Sequence, residues 1–280
     1  MGPRRRAVCA CAVLAAGLLF APAQGNGTRL GGGPNQRVVG GGPANAGGWR
    51  FVTALKLRKS AFFCGGALIA PTKVVTAAHC VKRTKRRKLL VATGTPWLSG
   101  PRAARRLPVA RVRIHPDYNG EKVFNDIAVV TLARPSPATP VQLPSPSEAR
   151  AATRPGDIVR VAGWGSRSAW GFRAAQRLKA ARQRVYRSRK CQRAYRKGGF
   201  RGSTMVCAVG ARIRRFRGAL RIRATDCFGD SGGPLVASTP AGPRLVGVVS
   251  VGSFPCGFGA PSIYTRVSEA LPFIRRVAGL

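Results

Sequence analysis

The sequence predicts an all-β protein, built as a barrel or as a sandwich. From Phe51 onward, short apolar or alternating runs rich in Val, Ile, Leu and Thr follow one another, as they do in strands. Gly, Pro and basic residues separate these runs, which is typical of turns between neighbouring strands. The runs cover residues 51–57, 66–69, 73–76, 89–93, 127–132, 158–162, 235–237 and 245–251.

Helix signals are found in few segments of the chain. Residues 173–196 are predicted to be partly helical, and residues 268–278 to form a terminal helix. Ser268 is the predicted N-cap, because its hydroxyl can accept from the first N–H groups, and Glu269 suits the positive end of the helix dipole. The Pro-rich residues 134–146 are predicted to be an extended connector between two halves of the chain.

The N-terminus has the three parts of a secretory signal. Residues 4–6 form a basic head, residues 7–20 are apolar, and residues 21–23 form a small-residue cleavage site. The apolar run is too short to span a bilayer comfortably. We therefore expect residues 1–23 to be a removed signal peptide, and the mature protein to be secreted, extracellular and without a membrane span.

Six of the eight cysteines lie beyond this signal. An even number of cysteines in an exported chain implies disulfides, although six cysteines allow 15 pairings on counting alone. A zinc site is disfavoured because the chain has no C-x-x-C pair and only two histidines. We expect neither a metal nor an organic cofactor. The six are Cys64, Cys80, Cys191, Cys207, Cys227 and Cys256.

The chain is strongly basic, with 49 Lys and Arg against 8 Asp and Glu and a formal net charge of +41. Such a surface is attracted to nucleic acid, anionic lipid or acidic polysaccharide. It is equally consistent with a compositional bias, since Ala, Gly, Pro and Arg dominate throughout. Charge alone therefore does not name a partner.

One short segment contains several residue types that are common in catalytic sites. Ser231 stands among three glycines, two aspartates and Cys227, in a chain with very few acids. A serine becomes a nucleophile when a histidine takes its proton and an acid orients that histidine. His79 follows an apolar strand and precedes a cysteine, whereas His115 lies in a Pro-containing turn. Asp126 directly precedes a buried-looking strand, whereas Asp117 and Asp157 have the context of turn residues.

Seven motifs, in this order, resemble the trypsin/chymotrypsin family of serine endopeptidases from Val38 to the last helix. The resemblance implies two packed six-stranded antiparallel β-barrels, about residues 38–145 and 146–267, and a C-terminal helix over residues 268–280. It also implies a catalytic cleft between the barrels and a monomer that hydrolyses protein or peptide substrates. The motifs are Arg37-Val38-Val39-Gly40-Gly41, Cys64-Gly65-Gly66, Thr76-Ala77-Ala78-His79-Cys80, Asn125-Asp126-Ile127-Ala128, Val161-Ala162-Gly163-Trp164-Gly165, Gly229-Asp230-Ser231-Gly232-Gly233-Pro234 and Tyr264-Thr265-Arg266-Val267.

The resemblance assigns a role to each candidate residue. Ser231 would attack the peptide carbonyl, His79 would take its proton, Asp126 would orient His79, and Ser250 would support Asp126. The N–H groups of Gly229 and Ser231 would form the oxyanion hole. The implied disulfides are Cys64–Cys80, Cys191–Cys207 and Cys227–Cys256, a set like that of the simpler, often bacterial, members.

The family also implies activation by cleavage. A cut between Arg37 and Val38 would release residues 24–37 as an activation peptide, and the new Val38 ammonium would pair with buried Asp230. Before the cut, the oxyanion hole should be poorly formed. Within this peptide, Asn26 begins a glycosylation sequon, which matters only in a host that glycosylates.

Two interpretations of substrate preference stay open, and a basic residue is slightly favoured over a bulky apolar one, because an aspartate in the pocket of so acid-poor a chain needs a reason. In trypsin-like members an aspartate six residues before the nucleophile receives a basic side chain, but Thr225 holds that position here and Asp226 follows it. Gly252 and Ser262 should line an open pocket, in which Asp226 would favour Arg or Lys. If Asp226 instead pairs with Arg223, the pocket suits bulky apolar residues. The basic segments 82–88 and 212–223 argue against a basic preference, since such an enzyme would digest them unless they are rigid.

A second class of function shares the fold. A cationic, catalytically weak binding or antimicrobial protein would use the basic clusters at residues 82–88 and 173–201 to hold anionic polymers, either polysaccharide or nucleic acid. The chain has no recognised nucleic-acid-binding motif. Because His79, Asp126 and Ser231 are all present, we expect an active endopeptidase and treat polymer binding as an added property.

Overall fold

The structure is a computed structural model that describes residues 41–45, 47–58, 62–99, 105–166, 168–171, 173–196, 199–214 and 221–280. The predicted signal peptide, the activation peptide with Asn26, and the Arg37–Val38 bond lie outside these residues. Within the described part, no helix is both long enough and apolar enough to cross a membrane.

Six antiparallel strands close the first barrel, in the order β2-β3-β4-β7-β6-β5. A short helix, α1 (Ala78–Val81), and a 3-10 turn (Arg86–Lys88) lie between β4 and β5. The strand interiors are apolar and close to fully buried, as in a small barrel that its own side chains fill. The strands are β2 (Val52–Leu57), β3 (Phe62–Ala70), β4 (Lys73–Thr76), β5 (Leu89–Thr93), β6 (Arg105–Ile114) and β7 (Ala128–Leu132).

Six further antiparallel strands close the second barrel, because β8 pairs with both β9 and β13. The short strand β1 (Gly42–Pro43) extends β9 at its edge, and β11 (Arg212–Arg214) pairs with β12 (Arg221–Arg223) as a separate hairpin. The prediction of two six-stranded barrels and a C-terminal helix is confirmed. The barrel strands are β8 (Ile158–Gly163), β9 (Lys179–Val185), β10 (Met205–Gly210), β13 (Pro234–Thr239), β14 (Gly242–Val251) and β15 (Ser262–Arg266).

One hydrophobic cluster fills the first barrel and extends into the second half, and a separate cluster fills the second barrel. Trp164, Leu245 and Val248 of the second half pack in the same buried cluster as the strands of the first barrel. The last helix, α4 (Val267–Ala278), buries Leu271 and Ile274 in this cluster. The ends of strands from both barrels are therefore held in a fixed relation along their interface.

The predicted helix boundaries need correction. Helix α4 begins at Val267, its N-cap is Arg266 without a side-chain cap, and Ser268 lies inside the helix, where its hydroxyl contacts Glu269. The reason is that β15 runs directly into α4, so the helix starts before Ser268. Residues 173–196 are helical only in α3 (Ser188–Ala194), because residues 179–185 form β9.

The predicted connector is irregular and ends at a helix that the sequence reading missed. This helix, α2 (Pro146–Ala151), begins with a capping box in which Ser145 and Glu148 bond each other's backbone N–H groups.

Candidate active site at the interface of the two barrels

The candidate histidine is presented by a buried strand and a disulfide. Strand β4 ends at Thr76, and α1 then places the His79 side chain, which is 33% exposed, at the barrel interface. The Cys64–Cys80 disulfide fastens the residue after His79 to β3. The His79 backbone N–H also donates to Asp126 Oδ1 at 2.9 Å. Its position is thus fixed from two sides.

Asp126 is fully buried, and its carboxylate is satisfied by three hydrogen bonds. Besides the His79 backbone bond, Oδ2 lies 2.7 Å from His79 Nδ1 and accepts the Ser250 hydroxyl at 2.7 Å. An ionised carboxylate can only accept, so His79 Nδ1 carries the proton and Nε2 keeps its lone pair. This is the tautomer that a general base requires.

Ser231 lies in a tight turn that both barrels hold. The Gly65 N–H of the first barrel donates to the Ser231 carbonyl at 2.7 Å, and the Gly232 N–H donates to Val249 O at 2.8 Å. Gly232 has φ +80°, and a side chain there would collide with Thr76 and Gly65. A cavity of about 460 Å³ is lined by His79, Gly229 and Ser231 together. The structure therefore brings the candidate nucleophile and base to one cavity.

The backbone N–H groups of Gly229 and Ser231 are available for a ligand. Within the described chain, neither group donates a hydrogen bond to another residue. Gly229 has φ +95°, and a Cβ at this position would come within 2.9 Å of the Phe62 ring. A glycine is therefore required here for both conformational and steric reasons.

Asp230 is buried within this turn and is not among the residues that line the cavity. Gly165 N–H donates to Oδ1 at 2.7 Å and Cys227 N–H donates to Oδ2 at 2.9 Å. No cationic side chain in the described ranges forms an ion pair with it. Burial is the main cause that raises the pKa of Asp230 to about 7, and the two backbone hydrogen bonds only partly oppose it.

The predicted pocket residues form a separate buried polar cluster. Thr225 Oγ1 lies 2.7 Å from Ser262 Oγ, and the Tyr264 hydroxyl donates to Asp226 Oδ1 at 2.6 Å. These residues do not line the cavity of His79 and Ser231. The Ser250 hydroxyl is used by Asp126 and is not directed to this cluster.

The alternative pairing of Asp226 with Arg223 is wrong. The Arg223 guanidinium donates instead to the Gly210 carbonyl at 3.3 Å. Because β12 pairs with β11, Arg223 is held at the base of that hairpin, near the end of β10. Asp226 Oδ2 accepts no hydrogen bond from the described residues, and a Cβ at Gly252 would lie 3.5 Å from it.

The sequence reading missed Gln183, which completes this cluster. Its Oε1 lies 2.6 Å from the Tyr264 hydroxyl, and its Nε2 lies 3.4 Å from Asp226 Oδ1. A signal was present, because Ala181, Gln183 and Val185 alternate along β9 as the inward-facing set. Burial and the nearby Asp226 raise the pKa of Tyr264 well above its usual value. Tyr264 therefore stays protonated, and its hydroxyl donates a hydrogen bond to the Asp226 carboxylate, which is a stronger acceptor than the Gln183 amide oxygen.

The remaining candidate residues, the six cysteines and His115, contribute to the fold. The three disulfides implied by the resemblance are present: Cys64–Cys80, Cys191–Cys207 and Cys227–Cys256. Cys64, His79 and Cys80 lie close together, but the disulfide leaves no thiolate to bind a metal. His115 packs against Phe273 with ring centroids 4.8 Å apart, far from a catalytic arrangement.

Comparison with known proteins points to one family. A family profile described as Trypsin matches residues 38–274. Trypsin of Saccharopolyspora erythraea is 34% identical over 230 residues, 82% of this chain and 93% of the relative. Glucanase inhibitor protein 3 of Phytophthora infestans is 33% identical over 225 residues, 77% of this chain and 78% of the relative. Serine protease 56 of Homo sapiens is 38% identical over 257 residues, 88% of this chain but 39% of the relative.

Proposed function

Because the chain belongs to the trypsin family, we propose that it is a serine endopeptidase whose triad is His79, Asp126 and Ser231. One observation carries the proposal. The buried Asp126 carboxylate holds His79 through two hydrogen bonds, of 2.9 Å to the backbone N–H and 2.7 Å to Nδ1, and His79 shares a cavity with Ser231. A histidine fixed in this tautomer can accept a serine proton through Nε2.

The reaction is acyl transfer in two halves. Ser231 Oγ attacks the peptide carbonyl while His79 Nε2 takes its proton, and His79 then gives that proton to the leaving amine. Water, deprotonated by His79, releases the acyl-enzyme. The Gly229 and Ser231 N–H groups stabilise the charge on the carbonyl oxygen, and loss of one such donor typically lowers kcat by about 10²–10³-fold. None of these steps uses a metal or an organic cofactor.

Activation follows from the state of Asp230. Its buried carboxylate bonds two backbone N–H groups but pairs with no cationic side chain among the described residues. Cleavage between Arg37 and Val38 would supply an α-ammonium, which stabilises a buried carboxylate far more than backbone N–H groups alone. The chain is thus made as a zymogen. Its N-terminal signal supports secretion with removal of residues 1–23, and the family supports a monomer.

The preferred substrate residue before the cleaved bond, called P1, is Arg or Lys. Asp226 is free of Arg223, and its Oδ2 lies toward Gly252, the expected wall of the P1 pocket. Backbone hydrogen bonds of residues 82–88, and the strand pairing of Arg212 with Arg223, limit self-digestion at these described positions. A bulky apolar P1 residue, bound over Thr225 and Ser262, is the alternative.

A binding protein on the same fold is the second candidate. It is favoured by the exposed basic residues of the segment 82–88, none of which forms an ion pair with a carboxylate in the described chain. Relatives in Phytophthora infestans and Phytophthora sojae are named glucanase inhibitor proteins, so their names describe inhibition and not hydrolysis. Under this candidate, the basic clusters at residues 82–88 and 173–201 bind an anionic polymer and Ser231 has no catalytic role.

Active-site titration decides between the two candidates. Protein processed to begin at Val38 is mixed with a serine-acylating reagent, and Ser231→Ala is the control. A burst of one equivalent, absent from the control, supports the endopeptidase, whereas no acylation of correctly folded protein overturns it. A peptide library varied at P1 then distinguishes the two possible specificities of the P1 pocket. Cleavage after Arg or Lys requires Asp226, whereas cleavage after Phe, Leu or Tyr does not.

A further inference from the structure

Four aromatic side chains form a continuous surface beside the candidate active site. The ring centroids of Phe228 and Phe254 are 5.5 Å apart. Trp170 extends the contact, at 6.0 Å from Phe254 and 5.9 Å from Phe258. Trp170 is 64% exposed, Phe254 59% and Phe228 41%. We call Trp170, Phe228, Phe254 and Phe258 the aromatic patch, and contiguous exposed apolar surface of this kind marks an interaction site.

The aromatic patch is built from three segments that are tied together. The Cys227–Cys256 disulfide joins the segment of Phe228 to the segment that carries Phe254 and Phe258. The Cys256 N–H donates to Ala169 O at 3.0 Å, which fixes the residue next to Trp170. The Ser166 N–H donates to Phe228 O at 2.8 Å. A ligand therefore meets rings that are already in place, and little ordering opposes binding.

The aromatic patch continues directly from the cavity of the candidate triad. Phe228 lines that cavity together with His79 and Ser231, and it immediately precedes Gly229. An extended polypeptide advances about 3.3–3.6 Å per residue. A substrate with its cleaved carbonyl at Ser231 therefore has side chains of neighbouring residues within reach of Phe228 and Phe254.

We propose that the aromatic patch binds one aromatic or large aliphatic side chain of the polypeptide substrate, outside the pocket that takes P1. This inference rests on the proposed endopeptidase function. Aromatic rings bind such side chains through edge and offset contacts while removing apolar area from water. A cationic side chain gains less at the patch, because its four residues carry no carboxylate like Asp226 of the proposed P1 pocket to offset the chain's net charge of +41. The aromatic patch thus adds a preference for the side chain at a second substrate position, besides the preference at P1.

The test uses processed protein and peptides with a fixed P1 arginine and with Phe, Leu, Ala or Lys at each flanking position. We expect Phe and Leu to raise kcat/KM about tenfold over Ala at one position. The double variant Trp170→Ala/Phe254→Ala should reduce this ratio to below about threefold. Ile158→Ala, which truncates an exposed residue outside the patch, should keep it. An ester that contains only the P1 residue should react equally with all three proteins.

Equal rates for Phe, Leu and Ala at every position would overturn the proposal, as would a preference that survives in the double variant. If neither an arginine ester nor a phenylalanine ester acylates the processed protein, the endopeptidase function fails, and binding of the same labelled peptides to Ser231→Ala tests the patch alone. Tighter binding of Phe and Leu peptides, lost in the double variant, would still support a substrate-binding role of the patch.

Sedimentation that shows a dimer of the wild type and a monomer of the double variant would assign the patch to a second copy, and so contradict the inference.

Discussion

The Ser250 hydroxyl donates to Asp126 Oδ2 at 2.7 Å across 124 residues of chain, which links β14 of the second barrel to the carboxylate that holds His79. A second bond runs the same way, since Thr265 Oγ1 donates to the Asp126 carbonyl at 2.9 Å. Asp126 is therefore positioned by the second barrel, although the residues that follow it belong to the first. The candidate triad depends on the two barrels being assembled, and neither half contains it.

Ser250→Ala should lower kcat by about 10- to 100-fold and leave KM nearly unchanged. The substitution removes one hydrogen bond to a charged group, whose net contribution is about 1.5–3 kcal/mol, while both His79 bonds to Asp126 remain. Steady-state kinetics on a P1-arginine peptide measure the effect, and Ser238→Ala on an exposed position of β13 is the matched control. An unchanged kcat would mean that Ser250 serves only the fold.

Asp226→Asn should abolish the preference for a basic P1 residue. The amide keeps the shape of the side chain and can still accept the Tyr264 hydroxyl, but it removes the negative charge near Gly252. We expect kcat/KM for P1 Arg to fall about 10²-fold or more, while kcat/KM for P1 Phe stays constant or rises. The ratio of the two rates is the measurement. Asp157→Asn, in a turn beside Arg154, should leave the ratio unchanged.

The sequence could predict the parts of this site that lie in short local motifs. His79, Asp126 and Ser231 each stand in such a motif, and the two barrels followed from the same resemblance. Gln183 could not be assigned, because its role depends on Tyr264, 81 residues away, and on Asp226, 43 residues away. Arg223 was a reasonable partner for Asp226 by proximity in sequence, but the hairpin directs its guanidinium to a carbonyl. The aromatic patch likewise exists only after three distant loops have been brought together.

The contribution of Asp230 to the stability of the unprocessed protein should fall as the pH rises from about 4 to about 7, and Asp230→Asn should remove that contribution. The pKa of Asp230 is raised to about 7 in the folded chain from an unfolded value near 3.8, with burial as the main cause. Between these values the folded state binds more protons than the unfolded state, so the free energy of unfolding falls as pH increases. Urea unfolding of an uncleavable Arg37→Gln protein at several pH values measures the slope.

Two comparisons control this experiment. Glu121→Gln changes an exposed carboxylate and should keep the wild-type slope. Protein processed to begin at Val38 should lose the Asp230 contribution, since the new ammonium stabilises the charged carboxylate and lowers its pKa. Identical slopes before and after processing would argue that Val38 does not reach Asp230.

Retention on a heparin column should depend on where the positive charge lies as well as on how much there is. Arg86, Arg87 and Lys88 form an exposed 3-10 turn with no ion pair to a described carboxylate, so their charges remain available to a polyanion. Changing all three to Ser should lower the salt concentration at elution, because fewer counterions are released on binding.

A second triple variant, at Arg182, Arg189 and Arg193, tests the cluster at residues 173–201. The control changes Arg150, Arg275 and Arg276, which removes the same charge from exposed positions elsewhere. Equal shifts in all three variants would show that net charge alone governs retention, and no shift in either cluster variant would remove the case for a docking surface.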